Sequence, residues 1–102
     1  MGYCGPGKFG DALVPDEICG VDIGICCRRH DESYVNPRGK TKKEIDGLLL
    51  DCMLRRIYRH AKDKDKARAA VIAEIYYRAC RGLLALMRWY QCRIAQWWRS
   101  RK

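Results

Sequence analysis

His30 and Asp31 stand side by side in "CCRRHDESY", residues 26–34. Successive side chains on a helix project about 100° apart, so the two cannot usefully hydrogen-bond to each other. Each must serve its own task on a neighbouring face. If His30 acts as a base, a second carboxylate must orient its ring from another element. If Asp31 binds a metal, further hard oxygen ligands must arrive from elsewhere, and calcium takes backbone carbonyls readily. The chain offers both kinds of partner. Asp46 and Asp51 follow on the next periodic segment, and "YCGPGKFG" at residues 3–10 packs three glycines and a proline into a loop able to present carbonyls. Taken singly these are a surface histidine, a capping aspartate and a flexible loop; taken together they read as a site.

The elements that must position these groups are helical. Ile18, Val21, Ile25 and Cys26 recur at helical spacing, predicting a helix from about Asp16 to Tyr34 with Asp16 or Asp22 as its cap. Pro37 and Gly39 in "VNPRGK" end it. Thr41 and Glu44 then form a capping box, and Ile45, Leu48, Leu49, Cys52, Met53 and Ile57 carry a second helix to about Ala61. After the interruption "KDKDK", one long helix is predicted from about Ala67 to Trp98, with Gly82 inside it as a place to bend. Nothing reads as a strand. The expected architecture is a single all-α domain over 1–102: residues 1–62 hold the Gly-rich loop and the helix pair, and 63–102 a basic amphipathic C-terminal helix.

A chain of 102 residues is enough for one core, and seven cysteines point to covalent support. No CxxC pair occurs, which argues against zinc. Seven is odd, so at least one thiol is free or pairs between molecules. No apolar run approaches the ~20 residues of a membrane span, and "GYCGPG" directly after Met1 carries no signal peptide. Charge is unevenly spread. Residues 1–51 carry 7 Lys/Arg against 9 Asp/Glu, whereas residues 52–102 carry 14 against 3. Such an asymmetry selects an acidic partner, either an anionic membrane or nucleic acid, and no nucleic-acid motif accompanies it.

The chain resembles the secreted-type, calcium-dependent phospholipase A2 family. "YCGPGKFG" (3–10), "CCRRHDESY" (26–34) and "EIDGLLLDC" (44–52) carry the resemblance, which covers roughly the first half of the sequence. The compact form is closer to the short microbial and viral members than to the venom and pancreatic enzymes. Lys8 stands where the family's loop has a second glycine. Ser33 and Ile45 replace two cysteines that form one bridge in the larger enzymes, so both ends of that bridge are missing together.

The resemblance implies a phospholipase A2-like fold and hydrolysis of the sn-2 ester of glycerophospholipids. His30 would be the base. Asp46, which precedes Cys52 by the family's spacing of six residues, would be its orienting partner, and Tyr34 would fix Asp46. Calcium would be held by the Asp31 carboxylate and the carbonyls of Tyr3, Gly5 and Gly7, with the Gly5 amide as an oxyanion donor. Two bridges are implied, Cys4–Cys27 and Cys26–Cys52, together with secretion or another route to an oxidising compartment. Cys80 and Cys92, twelve positions apart on the expected long helix, cannot reach each other, so Cys19 pairs with one of them at most. The alternatives are a catalytically silent membrane-binding or toxin module and, with less support, a basic nucleic-acid-binding helical protein.

Beyond the resemblance, the C-terminal helix reads from physics alone. Its stripe over residues 72–87 is expected to pack on the first two helices. The segment after Tyr90, with Trp97 and Trp98 beside Arg99, Arg101 and Lys102, suits an anionic phospholipid surface.

Overall fold

The computed structural model describes residues 17–101. The Gly-rich loop, with Tyr3, Cys4, Gly5 and Gly7, lies outside the described residues. Within them the chain is mostly helical, as expected, but it opens on a hairpin. Strand β1 (Glu17–Ile18) pairs antiparallel with β2 (Val21–Asp22), Ile18 opposite Val21. The predicted helical start at Asp16 is therefore wrong. Cys19 and Gly20 take positive φ angles of 49° and 83°, a left-handed turn that reverses the chain and that a helix cannot contain. The turn sends Ile18, Val21 and Ile23 into the core together.

Helix α1 (Gly24–Val35) begins where the Asp22 carboxylate accepts the Gly24 N–H at 2.8 Å. It stops before Pro37, and Arg38 and Gly39 at positive φ turn the chain back. Helix α2 (Lys42–His60) starts from the predicted capping box: Thr41 Oγ1 accepts the Glu44 N–H, and Glu44 accepts the Thr41 N–H. Ile45, Leu49, Met53 and Ile57 form its buried stripe. A 3-10 turn at Asp63–Asp65 leads into helix α3 (Lys66–Cys80). There Ala69 and Ala73 are fully buried, so the small side chains let α3 lie close against the rest of the core.

The expected single C-terminal helix is two. Helix α4 (Leu83–Ser100) follows a break at Gly82, whose backbone is extended (φ −80°, ψ 178°). A Cβ there would stand 3.1 Å from the Ala79 carbonyl oxygen, closer than a side chain fits comfortably. The expected packing of residues 72–87 is correspondingly only partial. Ala73 and Ala85 are buried and Ile72 and Tyr76 pack on the core, but Ile75, Leu83 and Met87 are at least half exposed.

Cys26 and Cys52 form a disulfide between α1 and α2, with Cα atoms 5.6 Å apart. Cys27 is disulfide-bonded as well; the expected Cys4–Cys27 pair involves a residue outside the described ones. Cys19, Cys80 and Cys92 are free thiols, and the break at Gly82 puts the last two on different helices.

The Cys26–Cys52 bridge closes a segment 26 residues long. Replacing both cysteines with alanine is expected to lower the unfolding free energy by about 3 kcal/mol in urea melts. An unchanged midpoint would show that packing alone holds α1 on α2.

Candidate active site

Helices α1 and α2 run antiparallel: Cys26 near the start of α1 meets Cys52, and Tyr34 near its end meets Asp46. Between these two ties His30 faces the same aspartate. His30 Nε2 lies 2.6 Å from Asp46 Oδ1, with the imidazole side chain 9% exposed and the carboxylate fully buried. Tyr34, one turn along α1, donates its hydroxyl to the same oxygen at 2.7 Å, and its ring centroid is 4.4 Å from that of His30. Three residues expected from the sequence to act together are thus in contact. Asp51 lies about 140° further round α2 and is exposed, so Asp46 is the aspartate that reaches the histidine.

The second carboxylate oxygen is also fully engaged. Lys42, one turn earlier on α2, donates to Asp46 Oδ2 at 2.7 Å, and Arg81 donates to the same atom at 2.9 Å. An ionised carboxylate offers about four acceptor sites, and four donors take them up here. Lys42 is buried and also donates to the Cys80 carbonyl at 2.6 Å, so one ammonium joins the end of α3 to the carboxylate. Sequence reasoning missed both cations. Lys42 had a signal, a Lys four residues before an Asp on one helix face. Arg81, 35 positions from Asp46, had none.

Burial by itself would raise the Asp46 carboxyl. The hydrogen bonds from His30, Lys42, Tyr34 and Arg81 outweigh it and hold the group down at about 2, against an ordinary 3.8. Asp46 is therefore an anion at any physiological pH, able only to accept. It follows that His30 Nε2 donates in this contact, so that in the neutral ring the lone pair is on Nδ1. Burial, and then the hydrogen bond to Asp46, push the Tyr34 hydroxyl well above its usual range, so it remains a neutral donor. Burial drives the nearby Cys80 thiol up to about 12, which keeps it protonated and unreactive.

Asp31 projects to the neighbouring face, half-buried, with the Arg88 guanidinium of α4 3.6 Å from its Oδ1. Among the described residues no group of three or more His, Cys, Asp or Glu side chains could hold a metal ion. The rest of the ligand set expected for calcium, Tyr3, Gly5 and Gly7, lies outside the described residues, as does the Gly5 amide. Helix α4 contributes more than Arg88. Trp89 packs edge-on against Tyr34, with centroids 5.3 Å apart, and Arg93 lies over the Trp89 ring. Arg93 also donates to the Tyr34 and Val35 carbonyls, placing a cation on the C-terminal end of α1.

No family model, curated protein or solved structure matches the chain.

Because the Asp46 carboxyl is depressed on folding, its contribution to stability is complete above pH ~4 and is lost as pH falls through about 2. The loss by pH 2 is about 2 kcal/mol. Urea unfolding across pH 5 to 2 should show this step in the native chain. It should appear at higher pH in Lys42→Met and disappear in Asp46→Asn, whose unpaired cations should also cost roughly 3–5 kcal/mol at neutral pH. Identical acid profiles for all three would contradict the ionised, four-donor assignment.

Proposed function

We propose that the chain is a calcium-dependent phospholipase A2-like hydrolase acting on the sn-2 ester of glycerophospholipids. The observation that carries this reading is the 2.6 Å contact between His30 Nε2 and the buried, ionised Asp46. It orients the ring and reserves Nδ1 for proton transfer, as the resemblance in "CCRRHDESY" requires. In the proposed reaction His30 Nδ1 takes a proton from a water as that water attacks the ester carbonyl. The Asp46 charge stabilises the imidazolium that forms. Asp46 does not take the proton itself, because its four donors hold it far below a histidine's range. Nδ1–H then returns the proton to the departing alkoxide of the lysophospholipid. Tyr34, Lys42 and Arg81 touch neither water nor ester in this scheme; they fix the carboxylate that fixes the ring.

In this reading Asp31 is the side-chain oxygen donor one position beyond the base, and it exchanges its contact with the Arg88 guanidinium for the metal ion. Asp31 would hold calcium together with the carbonyls of Tyr3, Gly5 and Gly7, and the Gly5 amide would add an oxyanion donor. When bound, the ion supplies Lewis-acid stabilisation of the oxyanion and of the lipid phosphate. The Cys26–Cys52 bridge supports an oxidising, secreted setting.

Fatty-acid release from phospholipid vesicles, measured with calcium and with EDTA, tests the reading. Release should need calcium, should vanish in Asp31→Asn, and should fall at least 100-fold, on the order expected for loss of a general base, in His30→Gln. Undiminished release in EDTA would refute the metal assignment. Vesicle binding without any release would favour the catalytically silent membrane-binding alternative.

A further inference from the structure

Helix α4 is turned inside out relative to an ordinary surface helix. The side it lays on the protein holds Ala85, Arg88, Trp89, Cys92 and Arg93, whose spacing follows one helical stripe. Its polar contacts account for that choice: Arg93 binds the carbonyls ending α1, Arg88 approaches Asp31, and Trp89 packs on Tyr34. The opposite side carries Leu83, Met87, Tyr90, Ile94, Trp97 and Trp98, each 50–71% exposed. Steps of four, three, four and three residues from Leu83 to Trp97 align these side chains over the helix's whole length. A continuous apolar stripe of this kind on a small chain marks an interaction surface.

We infer that the outward stripe of α4 is an in-plane anchor for an anionic lipid surface, seated over its full length rather than only beyond Tyr90. Charge selects this occupant. Residues 75–102 contain seven Lys/Arg and no Asp or Glu. Arg81, Arg88 and Arg93 face groups within the protein, while Arg78, Arg99 and Arg101 are exposed. The accessible charge of the segment is therefore attracted to anionic headgroups. A second copy docked on the same stripe would set two such segments against each other. The side chains agree as well. Trp97 and Trp98 stack edge to face, 5.3 Å between centroids, and Arg101 lies 4.6 Å over Trp97, an aromatic and cationic end suited to the headgroup layer. No helix among the described residues is long and apolar enough to cross a membrane, so α4 lies in the interface instead of spanning it.

The anchor goes beyond the hydrolytic reading, because it asks nothing of His30 or of calcium. Binding is therefore measured with the full chain in EDTA on vesicles of ether-linked phosphatidylglycerol, which present no carboxylic ester. Co-sedimentation should show strong partitioning that weakens as salt rises and is far lower on ether-linked phosphatidylcholine. Met87→Glu and Ile94→Glu together should reduce partitioning at least about tenfold, since each replaces an inserted apolar group by a charge repelled from the surface. Circular dichroism and the thermal midpoint should stay unchanged, because both side chains are exposed. Undiminished partitioning of the double variant would overturn the inference. So would a native dimer in light scattering that the same substitutions dissociate, the signature of a second copy on the stripe.

Discussion

A single negative charge in a fully buried place organises this chain. An ionised carboxylate out of water costs several kcal/mol unless every acceptor site is met, and at Asp46 each is met from a different direction. His30 and Tyr34 come from α1, Lys42 from α2 itself, and Arg81 from the corner between α3 and α4. Two cations, Lys42 and Arg81, around one anion leave a local excess of positive charge. The arrangement is thus a constraint on packing before it is a device for chemistry: helices that drift apart would strand a charge. The disulfide at the other end of the α1–α2 pair acts in the same sense, and His30 sits between the two fixed points.

What was legible in the sequence followed from local rules. The capping box at Thr41 and Glu44, the four-residue rhythm of Ile45, Leu49, Met53 and Ile57, and the stop at Pro37 all depend on neighbours within one or two turns. The family resemblance singled out Asp46 where spacing alone left Asp51 open, and the structure sets Asp46 against His30. The hairpin was misread because Ile18, Val21 and Ile25 match a helical period by coincidence. The left-handed turn at Cys19 and Gly20 has no apolar signature to betray it. Gly82 was noticed as a bend but not as a break, since nothing local shows that Lys42 grips the Cys80 carbonyl and Asp46 draws in Arg81.

The same limit explains α4. Its apolar stripe is plain in the sequence, and the ordinary rule turns such a stripe inward. The rule fails because the polar side has specific work: Arg93 meets otherwise unsatisfied carbonyls at the end of α1, and Trp89 closes over Tyr34. Periodicity reveals that a helix has two faces. It does not reveal which face finds better partners, when those partners lie some fifty-nine residues away.

The position of Arg81 has a consequence for the order in which the molecule comes into being. As the chain leaves the ribosome, residues 1–62 emerge first and contain the histidine, both aspartates and the tyrosine. They do not contain the guanidinium that completes the shell around Asp46, nor the tryptophan that covers Tyr34. At that stage three of the four donors to the carboxylate, His30, Tyr34 and Lys42, are present and the fourth is not. Only when Arg81 and helix α4 have been made and folded back is the shell around Asp46 and Tyr34 complete. A fragment that ends before Arg81 therefore lacks one of the four donors to Asp46 and the ring that packs on Tyr34.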